Sequence, residues 1–280
     1  MITLRTLLRQ GERELSAAGL GNSRCEARWL LEYVTGLSSA SLFVSLNQVC
    51  APSWQLKYRH LLRRRVLGEP LQHLLGAVDF YGYELTVGRG VLIPRPETEC
   101  LVELALARYP GRGMVCDQCT GSGAIALVLA DRLPGRPTVV GVDISRQALA
   151  YAGANRRRHR ADSVHLVQSD LFKAFVPGSK FSMITANPPY VDVDELRSLP
   201  VEVRDYDPPL ALLAGERGLS MVSRVVREAR QHLMAQGWLL CEIGETQAAA
   251  VEQCMDECGY RNITVAGDLA GRPRIAVGQA

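Results

Sequence analysis

The sequence predicts an α/β fold, a doubly wound and mostly parallel sheet preceded by a smaller helical front. Three observations carry this expectation. Beyond about residue 113, apolar runs of strand length alternate with segments of helical periodicity. Before about residue 75, apolar residues recur at helical spacing alone. Between them, residues 76–92 alternate apolar and polar positions with glycine punctuation, as a β-hairpin does. The expected organisation is therefore a helical domain over 1–75, a hairpin linker over 76–92 and an α/β domain over 93–280.

Each element has its own signal. Leu4, Leu7, Leu8 and Leu15 share a helical face. Ser23 and Glu26 have the spacing of a capping box ahead of Ala27, Leu30, Leu31 and Val34. Pro52 opens a third helix, with Trp54, Tyr58, Leu61, Leu62 and Val66 as its stripe and Arg59, Arg63, Arg64 and Arg65 expected on a solvated face. A helix is expected over Leu101 to Tyr109. Strands follow at 114–116, 138–142, 164–167, 181–185 and 238–243, with helices at 124–133, 145–158, 219–234 and 246–258 between or after them. Two closing strands near 260–266 and 274–278 are expected to pair antiparallel at one edge, giving seven strands in all.

Composition narrows the function classes. With 280 residues, 47% hydrophobic and 22% charged, the chain has an ordinary globular make-up that excludes disordered and fibrous classes. No apolar run approaches the roughly 18 residues of a membrane span. The net charge of +3 permits a nucleic-acid partner without arguing for one. The N-terminus leads into an amphipathic pattern rather than an export signal, so a cytoplasmic protein with free thiols is expected. Cys116 and Cys119 have the spacing of half a zinc site, but no second ligand pair follows at a recognisable distance. No metal is expected, and Cys116 reads as a small apolar residue in a buried strand.

In a doubly wound sheet, chemistry sits in the loops at the carboxyl ends of the strands. The first loop, Asp117 through Gly123, carries Cys119, Thr120, Gly121, Ser122 and Gly123 into a helix whose free N–H groups face a ligand. Asp143 ends the second strand, placed to accept hydrogen bonds from ribose hydroxyls. Together these residues indicate an adenosine-type cofactor without saying which one. The absence of a Gly-Lys-Ser/Thr sequence excludes an ATP-hydrolysing P-loop. The fourth loop is Asn187, Pro188, Pro189 and Tyr190. Its prolines remove backbone donors and stiffen the chain. Asn187 and the Pro188 carbonyl can then accept both protons of a planar NH2 group, with Tyr190 as an aromatic face. A nitrogen held in this way is aimed for in-line attack on a methyl carbon.

These loops, with Ser169 and Asp170, resemble the ordered motifs of class I S-adenosylmethionine-dependent N-methyltransferases. The segments Leu92 to Glu99, Asp207 to Gly218, Leu239 to Gly244 and Asp268 to Arg272 resemble one family, the protein-(glutamine-N5) methyltransferases of bacterial peptide chain release factors. The likeness covers nearly the whole chain. It implies a class I methyltransferase sheet and transfer of a methyl group from S-adenosylmethionine to the glutamine amide in the Gly-Gly-Gln loop of class I release factors. Residues 119–123 would cradle the amino-acid end of the cofactor, Asp143 its ribose, and Asp170 or Leu171 its adenine, while Asn187 to Tyr190 would grip the amide. Cys119 stands where the family often has glycine, and Leu171 where it often has an aromatic residue.

The nearest competing reading is a glutamine methyltransferase acting on a ribosomal protein. A DNA adenine-N6 methyltransferase would use a similar loop, and Arg156, Arg157, Arg158, His159 and Arg160 are its best support, though cations also suit a helix C-terminus. A non-enzymatic adenosine-binding regulator would have no need of the intact fourth loop, and no hydride-handling residues support a nicotinamide oxidoreductase. The expected partner is a protein, with no membrane and no direct nucleic-acid contact, and the expected state is a monomer. The front helices are expected to dock the release factor.

Overall fold

The computed structural model describes residues 2–176, 178–215 and 218–280; Glu216 and Arg217, within one of the segments that carry the resemblance, lie outside these. The chain forms two compact units. One is Met1–Gly76 together with Pro200–Tyr206, and the other is Ala77–Leu199 with Asp207–Ala280.

The first unit contains α1 (Leu4–Ala17), α2 (Ser23–Thr35), α3 (Ser39–Ser45), α4 (Pro52–Val66) and α5 (Leu71–Leu75). Leu4, Leu7, Leu15, Ala27, Leu30, Leu31, Tyr58 and Leu62 are fully buried, as helical spacing predicted. Two expectations fail here. Ser23 does not cap α2, whose N-cap is Asn22 without a side-chain bond. Arg65 is not solvated: it is buried, donating to both oxygens of Glu26 at 2.5 and 3.1 Å and to Glu202 at 2.7 Å. A buried guanidinium needs carboxylate partners, and Glu26 serves it rather than the helix end. Glu202 comes from the seven residues, Pro200–Tyr206, that leave the second unit's sequence to join the helices.

The second unit begins with the hairpin β1 (Ala77–Phe80) and β2 (Tyr83–Thr86), followed by α6 (Glu97–Arg108). The hairpin belongs to this unit's core, in which Phe80 and Leu85 are buried with Leu101 and Val102. Then come β3 (Val115–Gln118), α7 (Ala124–Arg132), β4 (Val139–Asp143), α8 (Arg146–Arg158), β5 (Val164–Gln168) and β6 (Phe181–Ala186). After them lie the short α9 (Val201–Arg204, in the excursion to the first unit), α10 (Pro209–Leu212) and α11 (Ser220–His232). The chain closes with β7 (Leu233–Glu242), α12 (Ala248–Glu257), β8 (Arg261–Gly267) and β9 (Pro273–Gln279).

The seven-stranded sheet has the order β5-β4-β3-β6-β7-β9-β8. β9 runs antiparallel between β7 and β8, so the expected antiparallel edge is present. β7 starts at Leu233, earlier than the apolar run at 238 suggested, because Phe181 pairs with Leu233 before an irregularity moves the pairing to Met183 and Trp238. Ser145 caps α8 as expected, its hydroxyl accepting from the Ala148 N–H at 3.2 Å.

Strand order reverses between β3 and β6, which opens a crevice at their carboxyl ends. Register then sets what faces it. Gln118 pairs with Val142 on one side and with Ala186 on the other, and Ala186 pairs with Cys241. The next residues along each strand, Cys119, Asp143, Asn187 and Glu242, therefore stand at one level, Asp143 and Glu242 as the last paired residues of β4 and β7.

Candidate active site

A cavity of about 150 Å³ lies at this level. Its walls bring together Cys119, Thr120, Gly121, Ser122, Asp143, Asp170, Leu171, Asn187 and Pro189. Asp117, Gly123, Pro188 and Tyr190 do not line it. Ile144, half exposed at the end of β4, and Leu210 and Met221 add apolar wall that sequence reasoning missed. Ile144 could have been found as the residue following the acid; Leu210 and Met221 carry no local signal.

The first loop is braced from below. Asp117 is fully buried and accepts from Thr120 Oγ1 at 2.6 Å and Thr185 Oγ1 at 2.8 Å. Burial nonetheless pushes its carboxyl up to about 7, with those hydroxyls and the Ala126 N–H pulling the other way. Cys119 holds φ +56 and Gly121 φ +57. Gly123, at φ +81, caps α7 where a Cβ would come within 3.2 Å of the Ala152 Cβ. Asn155, fully buried on α8, donates to the Ser122 carbonyl at 3.0 Å. Burial keeps the Cys119 thiol protonated by raising its pKa well above the usual range.

Asp143 accepts the Gly121 N–H at 2.9 Å through one oxygen and the Ser145 N–H at 2.8 Å through the other. Each oxygen retains a second lone pair for a further donor. Burial raises the pKa of this carboxyl. Asp170 behaves oppositely: Lys173 at 2.6 Å and Arg224 at 3.0 Å hold its pKa below the usual value. Leu171 follows at φ +50, buried against the cavity.

The fourth loop is tied to distant residues. Asn187 Nδ2 donates to Thr98 Oγ1 at 3.2 Å, which donates to Glu242 Oε2 at 2.7 Å. The Tyr190 hydroxyl donates to Glu242 Oε1 at 3.2 Å, and the Tyr190 carbonyl accepts from Gln247 Nε2 at 3.0 Å. Burial raises the pKa of both Glu242 and Tyr190. Among the described residues, no donor reaches Asn187 Oδ1 or the Pro188 carbonyl. Thr98 and Glu242 lie in segments that carried the resemblance, but nothing in their local sequence marks them as partners of Asn187.

Residues 6–76 match the PrmC N-terminal domain, and residues 97–199 match the methyltransferase small domain. The chain is 39% identical over 280 residues to the release factor glutamine methyltransferase of Koribacter versatilis, covering 99% of each chain. It is 35% identical over 273 residues to the protein of that name from Escherichia coli, covering 97% of each. The chain belongs to the release factor glutamine methyltransferase family. It is an S-adenosylmethionine-dependent methyltransferase. Its fold is also that of a methyltransferase from Pyrococcus furiosus, with a TM-score of 0.54 at 16% identity over 72% of this chain and 90% of that one. The methyltransferase carries no helix among its described residues that is long and apolar enough to cross a membrane.

Proposed function

We propose that this enzyme methylates the side-chain amide nitrogen of the glutamine in the Gly-Gly-Gln loop of class I release factors, and so modulates translation termination. The observation that carries this reading is Asn187 on the wall of the cavity formed with the first loop and Asp143, its Oδ1 unengaged and followed by a Pro188 carbonyl that no donor among the described residues reaches. A carboxamide NH2 has two protons to give, and these two acceptors match them.

The cavity residues suit S-adenosylmethionine. Gly121 lets the backbone pass close to a ligand, Asp143 has acceptor capacity left for ribose hydroxyls, and Ile144 and Leu171 offer aliphatic faces to a purine. In this reading Cys119 to Gly123 hold the amino-acid end, Asp170 flanks the adenine, and Asp117 works from beneath by fixing Thr120. When bound, the cofactor supplies an electrophilic sulfonium methyl group. The protein's part is to hold the glutamine nitrogen in line, a positioning effect worth as much as about 7–11 kcal/mol in favourable cases. Acceptors at Asn187 and Pro188 also favour the positive charge that develops on the nitrogen as it is methylated. Pro189 stiffens the loop, and Tyr190 anchors it through Glu242. The nitrogen then loses a proton to water, so no general base is assigned.

We propose further that the enzyme acts as a monomer in the cytoplasm and on protein alone. The basic run gives little support to nucleic-acid binding. Arg158 pairs with Glu84, Arg156 donates to the Val164 carbonyl at 3.2 Å, and the His159 ring meets the Glu84 carbonyl at 2.9 Å. The helical unit is proposed to dock the release factor, and Phe43 and Val44 on α3, 75% and 80% exposed, offer it an apolar surface. Phe43→Asp should raise KM for full-length release factor more than for a short Gly-Gly-Gln peptide; equal effects would discard the docking role. The deciding experiment for the reaction is mass spectrometry of release factor after incubation with enzyme and S-adenosylmethionine. A gain of one methyl on the Gly-Gly-Gln glutamine is expected, and an unmodified release factor alongside a methylated ribosomal protein would overturn the assignment.

A further inference from the structure

An asparagine side chain can present either its oxygen or its NH2 to a pocket, and only the oxygen accepts from a substrate amide. The surroundings of Asn187 decide which one it presents. Burial opposes ionisation of Glu242, but the Thr98 and Tyr190 hydroxyls and the charge of Arg274 favour it. As a carboxylate Glu242 can only accept, and a threonine hydroxyl carries a single proton. Glu242, 1% exposed, takes that proton from Thr98 at 2.7 Å and the Tyr190 hydroxyl proton at 3.2 Å, one on each carboxylate oxygen. The oxygen that Thr98 turns toward Asn187 can then only accept, so Asn187 must donate to it through Nδ2, as it does at 3.2 Å. Its Oδ1 is left free.

We propose that Glu242 and Thr98 are positioning residues that fix the amide polarity of Asn187, so that the pocket accepts a carboxamide NH2 and rejects a carboxylate. This rests on the glutamine reading above and adds the element that would tell glutamine from glutamate. A single carboxylate on β7 thereby holds both ends of the Asn187–Tyr190 loop. Replacing it with Gln removes the constraint and allows the relay to reverse. In the reversed relay the new NH2 donates to Thr98, Thr98 donates to Asn187 Oδ1, and Asn187 turns its NH2 toward the substrate.

The test compares full-length wild type, Glu242→Gln, Thr98→Val and Thr98→Ser. Calorimetry with S-adenosylhomocysteine reports cofactor binding, and the Asn187 side-chain amide signal in nitrogen-15 NMR, assigned by its loss in Asn187→Ala, reports the hydrogen bond. Glu242→Gln and Thr98→Val should lower kcat by about 10- to 100-fold, with S-adenosylhomocysteine affinity changed less than about twofold. Thr98→Ser should keep most of the activity and leave the Asn187 signal in place, whereas Thr98→Val should move it. A Gly-Gly-Glu peptide should compete better, relative to Gly-Gly-Gln, against Glu242→Gln than against wild type. An Asn187 signal unmoved by Thr98→Val, a serine variant as impaired as the valine one, or kcat and cofactor affinity lost together would each overturn the relay. Should Glu242→Gln not fold, the near-isosteric Thr98→Val carries the same test. Wild type inert on every Gly-Gly-Gln substrate would overturn the glutamine reading, while the NMR comparison would still decide the relay.

Discussion

The loop after β3 and the loop after β6 leave the same end of the sheet one strand apart, yet they are held in different ways. The first combines local and distant ties: Cys119, Gly121 and Gly123 adopt left-handed backbone and Asp117 binds Thr120 three positions away, while Asp143 and Asn155 hold Gly121 and Ser122 from 22 and 33 positions along the chain. The second owes its shape to residues far along the chain. Thr98 lies 89 positions before Asn187, Glu242 lies 52 after Tyr190, and Gln247 lies 57 after it. A loop that carries part of its own geometry can be read from a motif. A loop held by its neighbours shows only its chemistry in the sequence, while its orientation comes from the fold.

Four experiments press on this difference. The largest effect is expected from Asn187→Ala, which removes one of the two free acceptors. By analogy with single stabilising groups elsewhere, turnover should fall about 10²- to 10³-fold, with S-adenosylmethionine affinity changed far less. Steady-state kinetics beside calorimetry checks this, and unchanged turnover would remove Asn187 from the reaction.

Next comes Gly218→Ala, a change outside both loops. Gly218 holds φ +67, and a Cβ there would sit 2.3 Å from the Tyr190 carbonyl. Strain and displacement together should cost about 2–4 kcal/mol in urea unfolding and slow turnover as the Tyr190 end of the loop shifts. A variant with normal stability and turnover would mean that the second loop does not depend on its packed neighbours.

The third test uses pH on the first loop. The Asp117 carboxyl moves from an ordinary 3.8 to about 7 in the folded protein. Between those values the folded state keeps a proton that the unfolded chain has released. Asp117 therefore lends more stability at low pH, and that contribution is lost as pH rises through this range. The unfolding free energy of wild type relative to Asp117→Asn should fall between about pH 4 and about pH 7, and a flat or rising difference would contradict the assignment.

The smallest effect has the opposite sign. Cys119 occupies a left-handed conformation that glycine adopts freely, so Cys119→Gly should raise stability by about 0.5–1 kcal/mol in thermal or urea melts. A loss of stability would show that the Cys119 side chain contributes more packing than its backbone strain costs.

Most of the sheet was legible from sequence because short apolar stretches, such as Val115-Cys116 in β3 and Met183-Ile184 in β6, alternate with helical periodicity. Both strands also bury polar residues, Asp117 and Gln118 in β3 and Ser182 and Thr185 in β6. The helical front was legible from its apolar stripes. The arginines of α4 were not, because charge pattern alone cannot distinguish a solvated guanidinium from one such as Arg65 that is closed in by Glu26 and Glu202. Among the candidate site residues, Asp143 and the stiffened Asn187–Tyr190 loop announced themselves by residue type at strand ends.

The sequence by itself determined the seven sheet strands and the longer helices, though not the short α3, α5, α9 and α10, as well as which loops carry polar and proline-rich chemistry and where the acid at the end of β4 stands. These follow from periodicity and backbone restriction over a few residues. Only the tertiary structure decided that Cys119, Asp143, Asn187 and Glu242 stand at one level, and that Asn187 turns its nitrogen to Thr98 and keeps its oxygen free. Strand register and the direction of a buried hydrogen-bond relay depend on partners up to 144 positions apart, and burial couples them only once the chain has folded.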